Sequence, residues 1–343
     1  MNQVHQKIIN AIIQKANQVC PNALALIGIY GSVATGDTHA KSDLDLLILI
    51  NDESGYQLAT GFLLDDSKIG YDIYCTTWQR LQNDASLHHA YLASLMDSEI
   101  VYIKDQASYQ QLLELRDKTK QKLASDTRFE KTNDIINQAK ICYANACLDN
   151  TLGAVRLHAF GVLTSLADAA MIYHGRYFQK GTKRMTEELS ALPIDQTFID
   201  AMHAIAHSCD LAELRSLCQT LLLYATTHFA RPQEKHAPSE ELAGTYEEMF
   251  SNWRNKVAEA AEQSDTLSSF MNLCCLQAML NDIAGDTDIG SYAVMDAYDP
   301  NQLDRNLSLY DACLADYETV YQKANITVTR YKDVDAFVAA YLA

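Results

Sequence analysis

Two aspartates in the N-terminal third of the chain, Asp43 and Asp45, have the type and the spacing needed to bind a divalent cation. They stand next to an apolar segment, residues 46–50, that has the length of a β-strand. Residues i and i+2 of a strand point to the same face, so the two carboxylates lie side by side. Paired carboxylates on a rigid element suit Mg²⁺, which prefers oxygen ligands and often shares them with substrate phosphates.

An earlier apolar segment, residues 24–30, ends at Gly31 and Ser32. Glycine allows a sharp turn and a close approach of the backbone to a ligand. If a helix begins after this break, its free N–H groups favour an anion there. A phosphate-binding turn and a two-carboxylate metal site, about a dozen residues apart, together indicate a site for a nucleoside triphosphate.

These motifs resemble the Gly-Ser and Asp-x-Asp signature of the DNA-polymerase-β-like nucleotidyltransferase superfamily. The residues that carry the resemblance are Gly31-Ser32, Gly36 and Ser42-Asp43-Leu44-Asp45. Their spacing is most similar to that of the small-molecule branch, which includes aminoglycoside and lincosamide nucleotidyltransferases. The clear match covers roughly the first third of the chain.

The resemblance implies transfer of a nucleoside monophosphate, AMP from ATP, to a hydroxyl of a small molecule such as an antibiotic, with release of pyrophosphate. One or two Mg²⁺ ions are expected on Asp43 and Asp45. Gly31 and Ser32 are expected to bind the β- and γ-phosphates, and Ser42 is expected to belong to the nucleotide site. The acceptor and the identity of the nucleotide stay open.

A third acid stands in residues 68–78, where apolar and polar residues alternate and predict a strand. Asp72 is the only acid of that segment. The resemblance implies a third carboxylate from a later strand of the same sheet, and hence Asp72 as a metal ligand or as the base for the attacking hydroxyl. An acid of the helical part, across the cleft, is the alternative base.

Long helices with apolar stripes, among them residues 127–148 and 151–173, follow from residue 109 onward and predict a helical bundle. The loop after residue 173 holds the densest basic cluster of the chain. It resembles the connection in small-molecule nucleotidyltransferases whose basic residues reach back to the triphosphate. Lys183 or Arg184 is therefore expected to contact phosphate.

The predicted fold class is α+β, a small mixed-sheet nucleotidyltransferase domain followed by an all-α helical bundle. The predicted domains are residues 1–106, 107–232 and 239–343, with a proline-containing linker at 231–241. Within the first domain the patterns also predict a short helix over residues 56–64 and a longer one over 78–96.

Composition narrows the choice of partners. The net charge of −17 without a basic stripe argues against nucleic acid and favours a cationic acceptor. The nine scattered cysteines are typical of buried thiols in a reducing compartment. The N-terminus lacks the apolar core of a signal peptide, and no stretch is expected to reach the roughly 20 apolar residues of a membrane span. The protein is therefore expected in the cytoplasm, away from membranes.

Three other functions are weighed against the small-molecule acceptor. A protein acceptor, as in adenylylating regulators and antitoxins, keeps the chemistry and changes the substrate. A nucleotide sensor without turnover is disfavoured by the complete set of motif residues. A template-independent polymerase is disfavoured by the acidity of the chain. The oligomeric state stays open, because the helical half could provide a homodimer interface.

Overall fold

The computed structural model describes residues 3–231 and 235–343. The chain divides into two compact units, Met1–Arg231 and Pro232–Ala343. Pro232, at the end of the predicted helical bundle and within the predicted linker, lies outside the described residues. The predicted boundary at residue 106 falls inside the first unit, at the transition from the sheet to the long helices.

The first unit begins with a small α/β region and continues as helices. Its strands are β1 (Leu24–Tyr30), β2 (Asp45–Ile50), β3 (Thr60–Leu64), β4 (Ile69–Ile73), β5 (Cys75–Thr77) and β6 (Glu99–Ile103). Its helices are α1 (Gln3–Val19), α2 (Gly31–Thr35), α3 (Trp78–Asp84), α4 (Ala93–Met96), α5 (Gln106–Ala124), α6 (Thr127–Leu148), α7 (Leu152–Tyr173), α8 (Met185–Ser190), α9 (Gln196–His207) and α10 (Leu211–His228), with 3₁₀ turns at Glu53–Leu58 and Thr182–Arg184.

A four-stranded mixed sheet in the order β5-β2-β1-β6 forms the centre of the α/β region. β1 pairs antiparallel with both β2 and β6, while β2 pairs parallel with β5. β3 and β4 form a separate antiparallel hairpin. The motif acid Asp45 is thus the first residue of an interior strand, directly opposite Tyr30 at the end of β1.

Both faces of the sheet are covered, which explains why β1 and β2 are apolar along nearly their whole length. Leu46, Ile48 and Ile50 of β2 face a core completed by the buried side of α1. Leu47 and Leu49 face the other core, which continues into α5–α10. The sheet and the helical bundle of the first unit therefore share one hydrophobic core.

α7 is the central helix of that bundle and packs against α6 and α10. By length and composition it could cross a membrane, with a mean hydropathy of 1.3 over its most apolar part, so the expectation that no segment reaches this length is wrong for α7. Ten of its residues are buried in the unit. Its apolar character is accounted for by this core position.

Two local predictions in the α/β region are wrong. Residues 56–64 form the end of a 3₁₀ turn followed by β3, because Thr60–Leu64 pairs with β4 across a tight turn. Residues 78–96 form two short helices with an irregular segment between them. Tertiary hydrogen bonds to that segment replace the helical ones, as described below.

The second unit is helical. It contains α11 (Thr245–Met249), a π-helical turn (Phe250–Arg254), α12 (Asn255–Gln263), α13 (Thr266–Asp286), α14 (Leu303–Lys323) and α15 (Val334–Tyr341), with 3₁₀ turns at Glu240–Leu242 and Val294–Ala297. Three fully buried tyrosines of α14, Tyr310, Tyr317 and Tyr321, lie in its core. The hydroxyl of Tyr310 donates to the carbonyl of Met249 at 2.8 Å. A small mixed sheet followed by helices confirms the predicted α+β class.

Candidate active site

The turn after β1 requires glycine. Gly31 has a φ of +67°, a left-handed conformation that L side chains rarely adopt. A Cβ on Gly31 would also overlap the carboxylate of Asp45. The absence of a side chain therefore lets the backbone at the start of α2 lie directly against the first carboxylate of β2.

The carboxylate of Asp45 is held in an environment that opposes its negative charge. Burial raises its pKa most, and the neighbouring charge of Asp43 raises it further. A hydrogen bond from the backbone N–H of Ser32 acts in the opposite direction. Asp43 is exposed and stands just before β2, which begins at Asp45, so the expectation that both acids stand on the strand is wrong. Two neighbouring carboxylates still fit a divalent cation, and they are the residues that would hold Mg²⁺ here.

Asp72 lies on β4, opposite Gly61 of the hairpin, and is exposed. Tyr71 and Ile73 face the α1 core, so Asp72 points to the opposite face. The β2–β5 register pairs Ile48 with Cys75. Asp72 itself stands on the two-stranded hairpin and not on the four-stranded sheet that carries Asp45, so the expectation of a third carboxylate from the same sheet is wrong. Across residues 3–231 and 235–343 no three His, Cys, Asp or Glu side chains form a group that could hold a metal.

Ser42 is used within its own loop. Its hydroxyl accepts a hydrogen bond from the backbone N–H of His39 at 2.9 Å, and its N–H donates to the His39 carbonyl at 3.0 Å. Ser42 lines a hollow next to His5 and Tyr71, whereas Gly31 and Asp45 line a different cavity. Its predicted place in the nucleotide site stays a prediction.

A cavity of about 380 Å³ opens beside Gly31 and Asp45. Three parts of the first unit form its walls: the ends of the sheet strands, the segment from α3 to α4, and the loop after α7. Its lining includes Tyr30, Gly31, Asp45, Tyr74, Thr76, Arg80, Asp84, His89, Tyr91, Phe178, Gln179 and Gly181. This volume lies in the range of small-molecule sites in proteins.

Two tyrosines form the wall nearest to Asp45. The hydroxyls of Tyr30 and Tyr74 are 2.5 Å apart, and burial together with this hydrogen bond raises the pKa of Tyr30. The guanidinium of Arg80 lies over the ring of Tyr74, 5.7 Å from its centroid. The cavity lining therefore combines a neutral phenol and a cation with the carboxylate of Asp45.

The segment between α3 and α4 is fixed by the helical part of the unit. The N–H of Ala90 donates to Asp168 of α7 at 3.1 Å, and the carbonyl of Ala90 accepts from the N–H of Phe178 at 2.8 Å. The flanking residues, His89 and Tyr91, line the cavity. Burial raises the pKa of Asp168 to about 6, although the bond from Ala90 opposes this shift.

His89 orients a carboxylate of the cavity wall. Its Nε2 is 3.3 Å from Asp84, and its Nδ1 accepts from the backbone N–H of Tyr91 at 3.2 Å. The hydrogen bond to Asp84 raises the pKa of His89, while burial opposes that shift. With both ring nitrogens occupied, His89 fixes the position of Asp84 within the wall.

The basic loop after α7 reaches the α/β region and pairs there with an acid. Arg184 donates two hydrogen bonds to the carboxylate of Asp37, at 2.9 and 3.0 Å, and Lys183 is 3.7 Å from the same group. The bond from Arg184 lowers the pKa of Asp37 to about 2. The structure thus brings Lys183 and Arg184 to Asp37, and their predicted contact with phosphate stays a prediction.

Several lining residues were missed by the sequence analysis. Tyr74 could have been predicted from the sequence, because it stands two residues after Asp72 in a segment of alternating residues and therefore shares the face of Asp72. Arg80 had no such signal. The link between Ala90 and Asp168 joins residues 78 positions apart, and no local pattern reports a contact of that kind.

Comparison with known proteins agrees with this geometry. Residues 7–132 match the family model of the nucleotidyltransferase domain. This stretch runs from α1 into α6 and contains the sheet, the Gly31 turn and the acidic pair. The chain therefore contains a nucleotidyltransferase domain of the DNA-polymerase-β-like superfamily, as the motifs predicted. No curated protein matches the chain.

At the level of the domain, the activity is transfer of a nucleoside monophosphate. The match covers a little more than a third of the 343 residues. It therefore identifies neither the acceptor nor the role of the remaining helices.

Proposed function

We propose that the protein transfers AMP from ATP, with Mg²⁺, to a hydroxyl of a small molecule such as an antibiotic and releases pyrophosphate. The observation that supports this most is the Asp45 carboxylate, which lies against the Gly31 turn at the edge of the cavity. An acid whose pKa burial and a second acid raise together is typical of a functional site.

The residues have separate tasks in this reaction. Gly31 and Ser32 bind the triphosphate at the turn, while Asp43 and Asp45 hold Mg²⁺. Bound Mg²⁺ supplies neutralisation of phosphate charge and lowers the pKa of the attacking hydroxyl. The hydroxyl oxygen attacks the α-phosphorus, the bond from that phosphorus to the bridging oxygen breaks, and pyrophosphate leaves. Asp72 accepts the hydroxyl proton or serves as a further metal ligand.

A small acceptor fits the cavity better than a polymer does. The loop after α7 closes one side of a space of about 380 Å³, and the net charge of −17 disfavours nucleic acid. The same charge attracts a cationic acceptor. We further propose a reducing, cytoplasmic location, which the nine free thiols support.

The test is pyrophosphate release with Mg²⁺ and each of the four NTPs. Aminoglycosides, lincosamides and a bulk protein extract serve as acceptors. The Asp43→Asn/Asp45→Asn protein is run alongside, with Asp282→Asn, an exposed acid of α13, as the matched control. Release that requires a small hydroxylated acceptor, persists in Asp282→Asn and disappears in the double variant is the expected result.

Other outcomes redirect the proposal. Release that appears only with the protein extract would replace the small molecule by a protein acceptor. Mg²⁺-dependent binding of NTP without release under any condition would indicate a sensor. Failure to bind any NTP would refute the nucleotide site.

A further inference from the structure

Arg80 is an exposed cation that lines the cavity and that the reaction described so far does not use. It belongs to the first turns of α3, and its side chain lines the same space as Gly31 and Asp45. Its positive charge opposes the upward shifts in the pKa of Tyr30 and of His89, two other residues of the cavity lining.

Within the described residues, no carboxylate lies within ion-pair distance of Arg80, although acids outnumber bases in the chain. Asp84 follows one helical turn later and would be the usual i,i+4 partner. Instead, Asp84 pairs with His89. Arg80 is held by the ring of Tyr74, a contact that leaves its N–H donors available.

The basic loop offers a contrast. Arg184 and Lys183 share the carboxylate of Asp37, and Lys180 pairs with Glu187 at 2.8 Å. None of these cations belongs to the cavity lining within the described chain. Among these cations, Arg80 alone lines the same cavity as Asp45, and no ion pair within the described residues neutralises it.

We propose that Arg80 binds phosphate oxygens of the nucleotide in this cavity, an inference that rests on the proposed function. A guanidinium presents its donors in a planar fork that matches phosphate geometry. The guanidinium lies over the Tyr74 ring, which is itself hydrogen-bonded to Tyr30. The triphosphate would then contact Arg80 as well as the Mg²⁺ that Asp43 and Asp45 would hold.

The experiment is calorimetric titration with a non-hydrolysable ATP analogue in Mg²⁺, with adenosine as the ligand that lacks phosphate. Wild type is compared with Arg80→Met, which keeps an apolar stem over Tyr74, and with Arg80→Lys. Arg305→Ala, an exposed cation of α14, changes the net charge equally and serves as the matched control. Thermal unfolding verifies that each variant is folded.

We expect Arg80→Met to raise the Kd for the analogue roughly 10- to 100-fold, the range for lost charge-assisted hydrogen bonds. Arg80→Lys restores part of the affinity, Arg305→Ala leaves it unchanged, and adenosine binding is unaffected by all three. An equal loss of adenosine affinity would instead assign Arg80 to the shape of the cavity and overturn the inference.

Two further results would overturn the proposed Arg80 contact, and they differ in what they say about the proposed function. Unchanged analogue affinity in folded Arg80→Met, with or without a raised KM for the acceptor, refutes the phosphate contact while nucleotide binding stands. If wild type itself does not bind the analogue, the proposed function and the inference fail together.

Discussion

Two carboxylates eight positions apart, Asp37 and Asp45, show opposite electrostatics. Asp37 accepts two hydrogen bonds from Arg184, and its pKa falls to about 2. Asp45 is partly buried with one backbone N–H as its donor, and burial together with the charge of Asp43 raises its pKa. Both acids flank the same loop after α2, yet one is neutralised by the protein and the other is not.

The difference distinguishes an acid that the protein itself neutralises from one that the proposed function assigns to a metal ion. A carboxylate with a guanidinium partner holds two parts of the chain together. A buried carboxylate beside a second acid destabilises the folded protein unless a bound cation neutralises it. Asp45, with Gly31 fitted against it, belongs to the second kind, and the following predictions sharpen this contrast.

The largest effect is expected for Asp45→Asn. Loss of a metal ligand removes several kcal/mol of charge stabilisation, so turnover should fall roughly a thousandfold. Because the buried charge is also removed, the metal-free variant should unfold at the same or a higher temperature than wild type. Thermal unfolding should also show that Mg²⁺ stabilises wild type and not the variant. Normal turnover in Asp45→Asn would end the metal-site interpretation.

The second prediction concerns Asp168, a buried acid. Burial raises its pKa to about 6, so it resembles Asp45 and differs from Asp37 in the direction of its shift. The folded state binds the Asp168 proton more tightly than the unfolded state does. The free energy of unfolding should therefore fall as pH rises from about 4 to about 6, by at most about 3 kcal/mol from this group.

Asp168→Asn keeps the acceptor for the Ala90 N–H and should abolish that pH dependence, as urea unfolding at a series of pH values would show. Asp168→Ala also removes the hydrogen bond to the Ala90 N–H. Because His89 and Tyr91 would then be held less firmly, this variant should raise the KM for the small-molecule substrate. If the stability profile of Asp168→Asn parallels that of wild type, the acid titrates normally.

The smallest effect is expected in the basic loop after α7. Arg184→Ala removes the partner of Asp37 on the protein surface, and exposed ion pairs contribute little to stability. We expect a slight decrease in the unfolding temperature, lost at high salt, with nucleotide affinity retained. A marked loss of ATP affinity would revive the sequence-based assignment of Arg184 to phosphate and would weaken the contrast drawn above.

For Asp37 itself, the sign of the pH effect is opposite to that of Asp168. Its folded-state pKa is lowered, so its contribution to stability is present above the ordinary carboxyl pKa and is lost as pH falls towards 2. Asp37→Asn should therefore flatten the stability profile in acid, where Asp168→Asn flattens it near pH 5.

The sequence by itself determined the motif and the elements that carry it. Asp43 and Asp45 stand at the start of an apolar run, and Gly31-Ser32 ends another, so the length of these runs was enough to predict two strands, the turn after the first and two acids at the start of the second. These are local properties, fixed by the period of the strand and by the conformational freedom of glycine.

The tertiary structure decided which groups form hydrogen bonds and ion pairs with one another. Residues 78–96 failed as a single helix because Ala90 is bound by α7 and by the loop at Phe178. Arg184 meets Asp37 and Arg80 meets none of the acids in the described chain, and neither choice is visible in the local pattern. Charged side chains on long stems can reach many partners, and which one they pair with depends on distances set by the packed core.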